Sequence, residues 1–318
     1  MAPAFWWDRF TATRLTEGAL RGAGGVIINS SAHHVVALAE TFGVPTPPTS
    51  SLRGGRPFHT MPEESVTQAL RWTRAPGDRE NMEADVPAGL RSGEESTPGF
   101  RLGIYVFKDA EIIDFAAPYG VFSVARRYDP ELDAFLVADA MRPVQTQAGF
   151  TALPNYSFAD APAMDAFLIP GGFGTRQEMH NRRLHEFVRS LPDSTLLTSV
   201  CTGSWVYGKM GLLDGLPATN RKEPDNVEKA PPGKVPIDRL AEIAPVCKIS
   251  RARVVDAGRI VTAGGITSGM EMGFHLLKRA GYDEEFISNV ARTMEYKEAY
   301  EAYRDDVEIA APETLAQA

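Results

Sequence analysis

The sequence predicts an α/β domain over residues 100–295, built on a mostly parallel sheet with helices on both faces. Three observations predict it. Short apolar runs alternate with stretches of helical spacing. Several of these runs end in glycine-bearing turns. One of them, residues 195–200, passes directly into Cys201-Thr202-Gly203 and a segment that can be helical.

In chain order, residues 102–107 (LGIYVF) read as the first strand, 115–128 as a helix and 132–138 as the second strand. Residues 166–169 form a buried strand ending in Pro170-Gly171-Gly172-Phe173-Gly174, with a helix over 178–191. The run 195–200 is apolar and β-branched, and the helix after Cys201 extends to Met210. Val254-Val255 and 260–263 flank Asp256-Ala257-Gly258-Arg259 as a hairpin. The stretch 264–269 breaks into a helix through Lys278, and Asp283 can cap a last helical run. Residues 296–318 carry Asp305, Asp306 and Glu308 and read as a helical or disordered tail. Ligands of such sheets gather at the carboxyl ends of the strands. Asp114, Gly171 to Gly174, Cys201 and Gly264 to Ser268 all follow strands, so they should converge on one rim.

The chain has 318 residues, 43% of them hydrophobic, which permits one large domain or two modest ones. A net charge of -8 argues against nucleic acid or a membrane surface as a partner of the simple electrostatic kind. No apolar run approaches the roughly 20 residues a membrane span needs. Only Cys201 and Cys247 occur, so no disulfide framework is expected and a reducing compartment, the cytoplasm, is the default. Residues 1–99 have no lysine and read as a poorly ordered extension, with 74–98 as its polar linker. Within it, 25–28 could form a strand and 33–42 a helix, while Trp6, Trp7 and Phe10 could pack on the main domain. Arg9, Arg14 and Arg21 raise an organelle-targeting alternative, which Asp8 and Glu17 interrupt. His33 and His34 are adjacent and read as solvated.

The chemistry centres on Cys201. A side chain on a sharp strand-to-helix bend projects above the sheet, as in the nucleophile elbow of hydrolases. A helix start favours thiolate over thiol. The plainer alternative is a small buried core cysteine. Asp114, just before a helix, is either an N-cap or an acid/base partner for the thiol, and Glu111 competes for that role. Thr202, with the amides of Gly171 and Gly172, could form an anion hole. Neither a phosphate loop nor a dinucleotide fingerprint occurs. Glu271 and Met272 begin a helix with no special role, and His180, His185 and His275 read as surface or packing residues.

Four strings carry a family resemblance: LGIYVFKDAEIIDFAAPYGVF, DAFLIPGGFGTR, TSVCTGSWVYGKMGLLDG and VTAGGITSGMEMGFHLL. Over residues 101–294 the chain resembles the ThiJ/PfpI superfamily, whose flavodoxin-like fold is related to class I glutamine amidotransferases. Within it, the chain looks most like isonitrile hydratases. The resemblance implies Cys201 as nucleophile, Asp114 as acid/base, Thr202 as its support, and Gly171, Gly172, Gly265 and Ile266 around the oxyanion or substrate. It implies hydration of an isonitrile to an N-substituted formamide through a thioimidate, with no metal or organic cofactor, in a homodimer. There is a departure: the hydratase-like pattern continues Ala-Thr-Thr-His-Trp, whereas this chain has Ala218-Thr219-Asn220-Arg221-Lys222 and then a Pro/Lys-rich loop over 223–236. Arg221 or Lys222 near the site would favour an anionic substrate, though a solvated loop is the plainer expectation. The peptidase-like branch places histidine after the cysteine, so Thr202 argues against proteolysis. Glyoxalase or deglycase chemistry, and a non-catalytic redox sensor or ligand-binding protein, remain as alternatives. Related domains are fused to helix-turn-helix regulators, and the 24 residues after Met294 read as too few for such a module.

Overall fold

The computed structural model describes residues 99–224 and 235–316. The expectations for residues 1–98, and most of the 223–236 loop, lie outside the described residues.

The chain enters through strand β1 (Arg101–Tyr105), helix α1 (Ile112–Ala125) and β2 (Asp133–Ala138). A small antiparallel pair follows, β3 (Val144–Gln145) with β4 (Thr151–Ala152), then β5 (Tyr156–Ser157) and β6 (Ala166–Ile169). The single helix expected over 178–191 is two, α2 (Thr175–Glu178) and α3 (Arg182–Ser190). Asn181 causes the break, because its side chain accepts from the amides of Arg183 and Leu184 and caps α3. Then come β7 (Leu196–Val200), α4 (Ser204–Lys209), β8 (Pro217–Ala218), α5 (Pro236–Ile243) and β9 (Lys248–Ile249). The predicted hairpin is β10 (Val254–Ala257) and β11 (Ile260–Ala263), followed by α6 (Ser268–Arg279) and α7 (Glu284–Thr293), which Asp283 caps. Residues read as a tail form α8 (Lys297–Tyr303), β12 (Val307–Ile309) and α9 (Pro312–Leu315).

The eight-stranded sheet has the order β12-β10-β11-β7-β6-β1-β2-β5. Every pairing in it is parallel except the β10–β11 hairpin. β12 extends the edge beside β10, so the last part of the chain is integral to the sheet.

Side chains alternate across each strand, and helices cover both faces. Gly103 and Phe167 are in register, and Phe167 meets Phe187 of α3 at 5.2 Å between ring centroids. The other face carries Leu102 and Ile104 in line with Phe100, whose ring lies 5.9 Å from Phe122 of α1. There α1 and α6 run side by side at close range. A Cβ on Gly273 would sit 2.8 Å from that of Val121, and one on Gly269 would sit 3.3 Å from that of Ala117. Two glycines four residues apart thus let the helices start together at the same rim.

Candidate active site

Strands β1, β6, β7 and β11 lie within one parallel stretch of the sheet, and the chain leaves β1 for β2 on one side but returns to β6 on the other. This is a topological switch point, where open α/β sheets form a crevice beyond the strand ends. The chain beyond these four strands carries Asp114, Gly171-Gly172, Cys201 and Gly265-Ile266. Backbone bonds tie them together: Glu111 N–H donates to Gly171 O at 2.9 Å, and Cys201 N–H to Gly264 O at 2.7 Å. The N-cap alternative for Asp114 is corrected, because Asp114 lies in the first turn of α1 and Glu111 is its N-cap.

Cys201 has φ of 55°, a left-handed conformation that costs a non-glycine residue free energy. The turn around it is over-determined. A Cβ on Gly203 would lie 2.0 Å from Ile169 O, so only glycine lets the elbow pack on the end of β6. The Cys201 residue is 4% exposed, yet it lines a small cavity of about 50 Å³ together with Thr202, Ile266 and Glu111.

Asp114 is fully buried. Its Oδ2 accepts from Gly171 N–H at 2.9 Å. Its Oδ1 has no partner of ordinary hydrogen-bond geometry, and the Cys201 thiol is near enough to act as a weak donor to the carboxyl group. Burial, then the charge of Glu111, raises the Asp114 pKa well above the usual carboxylate range. The Gly171 amide, the thiol and Arg221 oppose this without reversing it. Burial, then the Asp114 charge, likewise pushes the Cys201 thiol well up, against Arg221 and the Thr202 amide. The expectation of a thiolate stabilised by a helix start is therefore corrected. The elbow opens through a 3-10 turn (Cys201–Gly203) into a helix of only 6 residues, and that dipole does not offset complete desolvation. Thiol and carboxyl form a coupled pair in which burial holds each toward its protonated form.

The amides expected to make an anion hole are already engaged. Gly171 N–H holds Asp114, and Gly172 N–H donates to Thr202 Oγ1 at 3.1 Å. Glycine is required at 171 because a Cβ there would lie 2.6 Å from Thr202 N and 2.8 Å from Asp114 Oδ2. The Thr202 hydroxyl also pairs with Thr175 Oγ1 at 3.0 Å, so it braces the β6 loop, while its amide faces the sulfur. Gly265 forms the wall beside the nucleophile: a Cβ there would be 2.9 Å from Cys201 Sγ.

Residues 101–279, more than half of the chain, match the DJ-1/PfpI family. The chain belongs to the DJ-1/PfpI family. Its sequence is 30% identical over 177 residues to isonitrile hydratase of Pseudomonas putida, covering 55% of this chain and 70% of that one. It is 27% identical over 139 residues to the HTH-type transcriptional regulator GbdR of Pseudomonas aeruginosa, covering 43% of this chain and 34% of the regulator. Among solved structures, a ThiJ/PfpI family protein from Pseudomonas syringae is 20% identical with a TM-score of 0.52, over 65% of this chain and 88% of that one. Drosophila melanogaster DJ-1beta is 18% identical with a TM-score of 0.50, over 62% and 97%. These two structures share the DJ-1/PfpI fold with this chain.

Several groups at this DJ-1/PfpI elbow escape sequence reasoning. Gln147, from the turn between β3 and β4, donates to Glu111 Oε2 at 3.0 Å and accepts from Phe173 N–H at 3.1 Å when its amide is oriented to satisfy both. Arg176 lines the cavity with its guanidinium 5.3 Å from the ring centres of both Phe173 and Trp205. Arg221 lines it too, which corrects the solvated-loop expectation. Thr219 and Asn220 before it are fully buried, and Asn220 Nδ2 donates to Ser204 Oγ at 2.8 Å. Glu271, read as having no special role, is buried and bound by Arg253 at 2.6 Å and by the Tyr296 hydroxyl at 2.9 Å. A larger cavity of about 300 Å³ lies elsewhere, bounded by Phe274, Tyr300 and Val307. Its three acids have partners: Glu271 has Arg253, Glu284 has Tyr300 and Arg304, and Asp305 has Arg304 at 3.9 Å. Among the described residues no helix is long and apolar enough to cross a membrane.

Proposed function

We propose that the protein hydrates a small isonitrile to an N-substituted formamide, a lyase-type reaction, with Cys201 as nucleophile and Asp114 as acid and base. The observation that carries this is the buried Cys201–Asp114 pair, of which Cys201 lines a small cavity with Asp114 behind it. The relationship to isonitrile hydratase supports it. An isonitrile carbon needs a proton and a nucleophile at the same atom, and a protonated thiol–carboxyl pair can supply both. Asp114 delivers its proton to that carbon as Cys201 sulfur bonds to it, and the thiol proton returns to the carboxylate. The product of this step is the thioimidate R–N=CH–S–Cys201. Asp114 then gives its proton to the imine nitrogen and, as the carboxylate, draws one from water as oxygen adds to the same carbon. The C–S bond breaks, sulfur recovers a proton, and R–NH–CHO leaves, so the net change is addition of one water. Thr202 holds the β6 loop around the acid, and Gly265 leaves room beside the sulfur.

We place this activity in a cytoplasmic homodimer with a small-molecule substrate. The test is turnover of an alkyl isonitrile by Cys201→Ala and Asp114→Ala, with formamide read by NMR. Loss in both is expected, and wild-type turnover in either removes that residue from the mechanism. The relationship to a transcriptional regulator favours a second reading, a ligand-binding protein without turnover. Ligand binding with no product from isonitriles or methylglyoxal would establish it, and methylglyoxal loss would indicate glyoxalase or deglycase chemistry instead.

A further inference from the structure

We infer that the substrate carries a carboxylate on a short carbon chain next to the reacting carbon, and that Arg221 and Arg176 bind it. This rests on the hydratase reading and names its substrate class. Two guanidiniums and one carboxylate, Glu111, are the charged side chains lining the cavity among the described residues. Arg221 stands beside the nucleophile. The position a Cβ would take on Gly265 is 2.9 Å from Cys201 Sγ and 3.1 Å from Arg221 Cβ, so these two side chains flank the same glycine. The charge of Arg221 acts on both the thiol and Asp114. The Arg176 guanidinium carbon lies 5.3 Å from the ring centres of both Phe173 and Trp205, which holds the charge at the cavity wall. A planar fork of donors suits a carboxylate better than a neutral alkyl group.

The size of the cavity sets the length of the chain. About 50 Å³ accommodates roughly three to five waters, hence a group of a few heavy atoms. A carboxylate one or two carbons from the isonitrile fits that space. Glu111 faces the same space and repels the anion. With its amide oriented to satisfy both partners, Gln147 donates to Glu111 Oε2 at 3.0 Å and offsets part of that charge.

The experiment compares isocyanoacetate with its neutral methyl ester on wild type, Arg221→Gln and Arg176→Gln. Wild type should favour the anion in KM. Arg221→Gln should cut kcat/KM for the anion by about tenfold or more while changing that for the ester much less, and Arg221→Lys should restore part of the loss. A second arm needs no hydration: alkylation of Cys201 by iodoacetate and by iodoacetamide, followed by mass spectrometry. The iodoacetate-to-iodoacetamide rate ratio should fall about tenfold in Arg221→Gln, less in Arg176→Gln, and in wild type as salt is raised. If a glutamine variant does not fold, the salt dependence of the wild-type ratio decides. A ratio that moves with neither arginine nor salt overturns the proposal. So does resistance of Cys201 to both reagents, since the cavity would then not admit a two-carbon anion. A falling ratio with no formamide from either isonitrile keeps the carboxylate preference and removes the hydratase reading.

Discussion

Asp114 and Asp256 are both buried acids of the same sheet domain, and they are treated oppositely. Asp256, in β10, accepts from Arg279 Nη1 through both oxygens at 2.8 Å, pairs with His275 Nε2 at 2.8 Å, and accepts from Gly258 N–H at 2.9 Å. Burial alone would raise its pKa, but these donors more than offset that and hold it below the usual carboxylate value. Asp114 has one amide and a thiol, and burial wins. The donor count separates an acid that fastens a hairpin to a helix from one that can carry a proton.

The largest test of this contrast is on turnover. Asp114→Asn should lower isonitrile hydration by about 10²–10⁴-fold, the range for loss of a general acid/base, whereas Asp256→Asn should act through stability. Stability should then move in opposite directions in thermal melts at about pH 7. Asp256→Asn leaves Arg279 and His275 without their carboxylate and should cost about 2–3 kcal/mol, or roughly 5–10 °C. Asp114→Asn removes a carboxyl that the fold holds toward its acid form at a pH where the unfolded chain ionises it, and should raise the melting temperature by a few °C. The signs follow from the two shifts. The raised Asp114 value means a penalty that is absent below the unfolded pKa of 3.8 and grows as pH rises toward the folded value, so the advantage of asparagine shrinks in acid. The depressed Asp256 value means a contribution present above 3.8 and lost as pH falls through the folded pKa, so the cost of Asp256→Asn also shrinks in acid. A smaller effect concerns Cys201. Its alkylation by iodoacetamide should keep rising past pH 9.0 without a plateau near neutrality, because the thiol sits above that value. Asp114→Asn should speed alkylation about several-fold at pH 8 by removing the opposing charge.

Much of this architecture was legible in the amino-acid order. Apolar runs such as 166–169 and 260–263 are local signals, and each is a strand in the structure. Cys201 was legible as an elbow because strand, cysteine and glycine are consecutive. What escaped depends on partners distant in sequence. Val307–Ile309 is a three-residue edge strand containing Glu308, recognisable only from its pairing with β10. Gly171 and Gly172 looked available to a substrate because the groups that occupy their amides, Asp114 and Thr202, lie 57 and 30 residues away. Arg221 looked solvated because nothing nearby in sequence reveals that Asn220 is anchored on Ser204. Burial of the thiol was equally hidden, since a helix start is visible in sequence and the surrounding desolvation is not.

The most direct measurement is the pH titration of the Asp114 carboxyl carbon by ¹³C NMR, with the resonance assigned by its disappearance in Asp114→Asn. The protonated form should persist well above pH 3.8, and Cys201→Ala should raise the titration point further, because the thiol favours the ionised acid. Titration at or below 3.8, unmoved by loss of the sulfur, would contradict the coupled thiol–carboxyl pair on which the proposed chemistry depends.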